Sequence, residues 1–242
     1  MGVDLSLSGP AVAFFDKTGY LSAHTLTGVK RACVEKELEF FKKSSSEFEL
    51  KEANDLERSK YIVNWIKTKI QLYDSALDSS IVALEGYSMN SANSRALSSI
   101  HELGGMFKHF LWHNSVPFRL YPPSDVKSAW TGSGRAKKPE MVSKCKDYFK
   151  DFTHLHAKSV DNLADATLIA ALLREEAYLK LGKFVDCYPF VHDILTKTTK
   201  NNKKGYVNLN YIHPSLIGLE TGKLGWLFEG KQEANGKSKE PP

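Results

Sequence analysis

Residues 2–26 read GVDLSLSGPAVAFFDKTGYLSAHTL, and this stretch decides the fold. Val3 to Leu7 is short and apolar, breaks at Ser8-Gly9-Pro10, and resumes as Ala11 to Phe15. Asp16-Lys-Thr-Gly19 is a turn signal, after which Tyr20 to Leu26 has the aromatic and β-branched character of a third strand. The chain therefore opens as an antiparallel meander, with one acid, Asp4, inside its first apolar run.

Working outward, apolar residues recur at helical spacing from about Glu52 to Leu77, with charges on the other side. Ser80 to Leu84 is a run short enough for a buried strand, and Glu85 follows it directly. Ala92 to Trp112 reads as a helix whose Gly104-Gly105 pair suggests close packing against a neighbouring backbone. Pro117 to Leu120 reads as a fifth strand. Ser124 is expected to cap a short helix that stops near Gly132, and Pro139 to open the next one, through about Phe149. Asp161 to Leu181 is strongly periodic. Strands with intervening helices after a meander imply an α/β sheet layered with helices. No internal repeat is visible.

Past Gly182 the pattern weakens. Residues 183–228, with a candidate strand at Tyr206 to Ile212, read as an extension packed on a 1–182 domain, and 229–242 as a disordered tail.

The 242 residues carry 33 Lys and Arg against 28 Asp and Glu, a surplus of +5. Between Arg119 and Lys158 stand nine basic and four acidic residues, so that segment alone accounts for the surplus. Residues 30 to 60 hold eight charges of each sign and read as a solvated, helical or mobile excursion. No membrane-length apolar run or secretion signal is present, so the expected location is a cytoplasm-like compartment. Cys33, Cys145 and Cys187 are widely spaced without a CxxC pair, so they are expected to be reduced thiols rather than a disulfide frame or zinc ribbon.

Carboxylates are costly to bury unless they are paired with cations or bound to metal. Asp4 lies in the first apolar strand, Glu85 ends a second, and Asp165 adjoins the apolar face of the last long helix, with Asp161 one turn before it. Each alone has a bland role: Asp4 as a turn former, Glu85 as a strand-end acid, Asp161 as an N-cap. Together, beside a basic segment, they suit hard, oxygen-preferring Mg²⁺ or Mn²⁺. Two such ions about 3.5–4 Å apart support phosphodiester hydrolysis.

Four segments, in this order, resemble the RuvC family of Holliday-junction resolvases, in a phage-type or divergent form, over roughly residues 1 to 180. They are Gly2-Val-Asp4-Leu-Ser-Leu-Ser-Gly9, Ile81-Val-Ala-Leu-Glu85-Gly-Tyr, Tyr121 to Lys127 with Gly132 to Lys138, and Asp161-Asn-Leu-Ala-Asp165-Ala. The resemblance implies an RNase H-like fold: a mixed five-stranded sheet flanked by helices, here with a C-terminal extension. It also implies a homodimer that resolves four-way DNA junctions by paired symmetric nicks, using Mg²⁺ or Mn²⁺, two per site. Carried over by position, Asp4, Glu85 and Asp165 match the family's metal-binding acids. Lys127 and Lys138 match basic residues near the scissile phosphate, with Lys138 in the catalytic set, and Arg135 and Lys137 join them in DNA binding.

Two positions depart from the family pattern. The remaining helix acid is expected three residues before Asp165, where Asn162 stands, so either Asp161 or Asn162 completes the site, with Asp161 preferred. The aromatic that opens the junction is expected at Ser88, leaving Tyr87 or Met89 as candidate wedges. His154-Leu-His156 has no evident third ligand, Gly132-Ser-Gly134 reads as a hairpin between helices, and Trp112, Trp130 and Phe149 read as core. An actin-like kinase also opens with a Gly-x-Asp strand but needs two similar domains, for which the chain is too short. The remaining rival is a catalytically inactive junction-binding or scaffolding module on the same fold.

Overall fold

The computed structural model describes residues 1–16, 19–27, 34–37, 44–45, 55–74, 80–86, 94–149, 160–180 and 189–196. The opening meander consists of β1 (Gly2–Asp4), β2 (Ala11–Phe15) and β3 (Leu21–Thr27), antiparallel throughout, with Val3 opposite Val12 and Ala13 opposite Ala23. Its second turn closes as the Gly19 N–H donates to the Asp16 carbonyl at 3.0 Å, with Gly19 at φ 85°. Then come β4 (Val34–Glu37) and β5 (Ser44–Ser45). They fall in the charge-balanced stretch expected to be a helical or mobile excursion, of which Asp55 to Lys60 are helical, and correct that expectation at their own residues. Strand pairing with the edge of β3 shapes them, and hydrophobic patterning does not register it.

Helix α1 (Asp55–Tyr73) leads to β6 (Val82–Glu85), and α2 (Ser94–His113) leads to β7 (Phe118–Tyr121). Both strands run parallel to β1, giving the order β5-β4-β3-β2-β1-β6-β7. The expected mixed five-stranded sheet is present, lengthened at one edge by two short strands. The chain ends its described part with α3 (Pro123–Thr131), α4 (Lys138–Tyr148), α5 (Val160–Lys180) and α6 (Pro189–Thr196).

Alternation along the strands divides the core in two. Val3, Val12, Phe14, Leu26, Val82, Leu84 and Phe118 pack under α1 and α2. Ala11, Ala13, Ala23 and Ala83 face the opposite layer, where α5 lies over the sheet with α3, α4 and α6 outside it. The small residues on that second face let α5 come close. A Cβ on Gly2 would stand 2.2 Å from the Ala166 carbonyl oxygen and 2.3 Å from the Ala170 nitrogen, so only glycine fits there. Past that contact, the far half of α5 is tied to β7 by a buried ion pair, Arg119 Nε to Glu176 Oε2 at 3.0 Å, and the Tyr121 hydroxyl also donates to Glu176. A buried pair of this kind holds two elements in one register, because losing either partner strands a charge.

Three local expectations are corrected. Helix α3 begins at Pro123 after Pro122, so Ser124 lies inside its first turn and makes no cap; proline supplies the start by fixing φ without needing an N–H partner. A Cβ on Gly105 would meet nothing within 4 Å, so of the glycine pair this one lies on an open helix face, whereas Gly104 is buried. Trp112 on the same helix is 58% exposed and is not core, whereas Trp130 is fully buried and its indole N–H donates to the Leu168 carbonyl at 3.1 Å. Phe149 is partly buried against the core, and Cys145 is a buried free thiol. Cys33, Cys187, His154, His156, Lys197 to Lys204, Tyr206 to Ile212 and the 229–242 tail lie outside the described residues. Among the described residues no helix is long and apolar enough to cross a membrane.

Candidate active site

Register brings the first two acids together. In the parallel β1–β6 pair Gly2 lies opposite Ala83 and Val3 opposite Leu84, so Asp4 and Glu85 follow side by side at the carboxyl ends of neighbouring strands. Gly2 and Ala83 both face α5, and a period of two gives Asp4 and Glu85 that same face. The first turns of α5 pass over it carrying Asp161 and Asp165, one helical turn apart.

The electrostatics record the convergence. Burial, and then the charges of Asp165, Glu85 and Asp161, push the Asp4 carboxyl well above the usual carboxylate range, with Lys138 opposing. Burial and Asp165 raise Glu85 to about 7, against Lys127 and Lys138. Asp165 is pushed up to about 6, by burial first and with Asp161 adding, while Lys138 and Lys127 hold it down. All three acids keep partial exposure, so the cluster opens to solvent on one side.

Two lysines reach this cluster from different elements. Lys127 comes from α3, and Lys138 opens α4 with its Nζ 3.1 Å from Asp161 Oδ2. Burial works against the Lys138 charge, but the bond to Asp161 and the charges of Asp161, Asp165 and Asp4 outweigh it and raise its pKa. The pair is more than a third exposed on the lysine side and adds little stability by itself. Its consequence is positional. Asn162 lies instead beside the β1–β2 turn, where its Nδ2 would be 2.4 Å from a Cβ on Gly9. Asp161 is thus the helix residue whose charge reaches Asp4 and Asp165. Arg135 and Lys137 stand on the exposed hairpin between α3 and α4, next to Lys138. Tyr87 and Met89 lie outside the described residues.

Four carboxylates with no sulfur or imidazole among them are hard donors, and their mutual repulsion is what a divalent cation relieves. The fit is one of donor type and charge. Among the described residues no group of three His, Cys, Asp or Glu side chains already has the arrangement to hold a metal ion, so any coordination shell forms by the acids drawing in.

The chain has structural likeness to a Thermus thermophilus RuvC structure, at 17% identity and a TM-score of 0.47, covering 75% of this chain and 95% of that one. A second, described as T. thermophilus RuvC in complex with Holliday junction substrate, aligns at 16% identity and a TM-score of 0.45, over 70% and 90% of the two chains. No protein-family model and no curated protein matches the chain.

Sequence reading missed Gly2 as the residue that sets the height of α5 above Asp4. Its partners Ala166 and Ala170 lie far along the chain, so the contact shows only once β1 and α5 are packed.

The raised acids set a pH dependence. Unfolded, Glu85 and Asp165 release their protons near 4.5 and 3.8; folded, they hold them to about 7 and about 6. Between these values the folded state binds more protons, so its stability is greatest below about pH 4 as far as these two groups act and is lost as pH rises towards 7. Melting curves without divalent ions should fall between pH 5 and pH 8, and millimolar Mg²⁺ should recover more at pH 8 than at pH 5. An Mg²⁺ effect larger at pH 5 would contradict this assignment.

Proposed function

We propose that the chain is a structure-selective, metal-dependent endodeoxyribonuclease of RuvC type that resolves four-way DNA junctions by paired symmetric nicks. The observation that carries this reading is the placement of Asp4 and Glu85 at adjacent parallel strand ends under Asp165 and Asp161, with Lys127 and Lys138 alongside. The order of motifs along the sequence supports it independently.

In this reading Asp4, Glu85, Asp165 and Asp161 hold Mg²⁺ or Mn²⁺, two per site. Bound there, the ions supply an activated water and charge stabilisation at the leaving oxygen. Asp4 stands centrally among the acids and orients the cluster. Lys138, anchored by Asp161, offsets negative charge that builds on the phosphate, and Lys127, whose charge also acts on Glu85 and Asp165, assists it. Arg135 and Lys137 hold backbone phosphates and set register along the strand without reading bases. Two copies, each cutting one of two opposed strands, give symmetric products, so the working form is a homodimer in the cytoplasm. Residues 1–182 supply the nuclease unit, and 183–228, apart from α6, lie outside the described residues.

The rival reading, an inactive junction-binding module on the same fold, loses ground because acids fill every carried-over metal position apart from Asn162, whose place Asp161 takes one residue earlier. A cleavage assay with Mg²⁺ on four-way, three-way and linear DNA separates the two. Paired nicks confined to branched substrates support the enzyme; tight junction binding without nicks favours the module. Arg135→Ala and Lys137→Ala should weaken binding to all DNA sequences alike, and each should flatten the slope of log affinity against log salt by about 1. Loss restricted to one sequence would assign these residues to base reading instead.

A further inference from the structure

We infer that α6 is a clamp on the α3–α4 hairpin, and that Phe190 is a positioning residue for Lys127 and Lys138; this rests on the reading of the site as a nuclease centre. Helix α3 ends at Gly132, which takes a left-handed conformation at φ 78° while its N–H donates to the Ser128 carbonyl at 2.9 Å. The Phe190 ring lies against this glycine, and its Cζ would be 2.9 Å from a Cβ placed there. Gly132 is therefore constrained twice, by backbone handedness and by the ring above it.

The hairpin beyond is short and internally bonded. The Ser133 N–H donates to Thr131 Oγ1 at 3.1 Å, the Arg135 N–H to Ser133 Oγ at 3.3 Å, and the Ala136 N–H to the Ser133 carbonyl at 3.1 Å. Gly134 turns it back onto the start of α3, where a Cβ would be 3.1 Å from Ser128 Oγ and 3.2 Å from the Ser124 carbonyl. Two residues after Ala136 comes Lys138, bonded to Asp161. One compact unit thus carries both lysines of the site, and α6 packs on α3 beside it, touching the hairpin at Gly132.

Helix α6 is itself well anchored. Val191 and Leu195 are each 2% exposed and join the core formed by Ala129, Trp130 and α5, while Phe190 remains 42% exposed. The apolar anchors fix the helix, and Phe190 transmits that fixed position to the hairpin. A small displacement of a charged group costs disproportionately in rate when it acts on a developing charge. Removing the ring should therefore lower turnover more than junction binding.

Phe190 is 42% exposed and is not one of the apolar anchors Val191 and Leu195, so Phe190→Ala is expected to melt within a few degrees of the wild-type temperature. Hydrogen exchange of the Gly132, Ser133, Arg135 and Ala136 amides should quicken about ten-fold, and single-turnover nicking of a saturating four-way junction with Mg²⁺ should slow about ten-fold, with the junction Kd within about two-fold of wild type. Phe190→Tyr should restore both. Unchanged hairpin exchange in Phe190→Ala overturns the clamp, and quickened exchange with wild-type nicking overturns the positioning role. Should the wild-type protein fail to nick any junction, the nuclease reading falls and takes the positioning role with it, while the exchange measurement still decides whether α6 holds the hairpin.

Discussion

Asp4→Asn should abolish nicking of four-way junctions while leaving junction binding intact, and without divalent ions it should make the protein more stable. The two effects have one origin. Asp4 is the acid most disfavoured by its surroundings, because burial and three neighbouring carboxylates all oppose its charge. Asparagine keeps the shape and removes that charge, so the folded protein should gain about 1 kcal/mol at neutral pH. The same change takes the central anionic oxygens from the cluster. Nicking should fall by about 10³-fold or more, equivalent to about 4 kcal/mol of transition-state stabilisation. In the proposed reading binding rests instead on Arg135, Lys137 and the other basic groups, so it should change less than about two-fold. Denaturation curves with and without Mg²⁺ supply the second readout, since stabilisation by Mg²⁺ should largely disappear in the variant. Nicking at the wild-type rate would remove Asp4 from the mechanism.

Gly2→Ala is expected to be the most destabilising single methyl group in the described structure. The added carbon would stand 2.2 Å from a carbonyl oxygen and 2.3 Å from a nitrogen of the α5 backbone, and neither atom belongs to a side chain that can turn aside. Helix α5 must lift off β1 or the strand must shift. Overpacking of this kind costs about 3 kcal/mol. Lifting α5 also draws Asp165 and Asp161 away from Asp4 and Glu85, so cleavage should fall even where the variant remains folded. Urea denaturation gives the stability loss, and nicking by the folded fraction at low temperature gives the functional one. Wild-type stability would show that β1 and α5 are not in this contact.

The contrast between Gly2 and its neighbour Asp4 shows how far the amino-acid sequence can be read. Asp4 and Glu85 stand out because an acid interrupting or ending an apolar run is visible locally, and strand alternation then places them. Asp165 follows from helical spacing next to an apolar stripe. Gly2 acquires its meaning only from Ala166 and Ala170, more than 160 residues away, and no local pattern links them. The Arg119–Glu176 pair is hidden for a similar reason: each charge is unremarkable until β7 and α5 are laid together. Strand β4 is mostly charged, and its pairing with β3 supplies the order that its composition conceals. Trp112 errs in the opposite direction, since an aromatic at helical spacing looks like core until the face it occupies proves to be open.

The proposed hydrolysis depends on Asp4, Glu85, Asp165 and Asp161 closing around divalent ions. Crystals grown with Mn²⁺ and measured for its anomalous scattering test this most directly. Two peaks bounded by oxygens of Asp4, Glu85 and the α5 acids are the predicted result. Well-ordered carboxylates with no bound manganese, or manganese bound elsewhere, would contradict it.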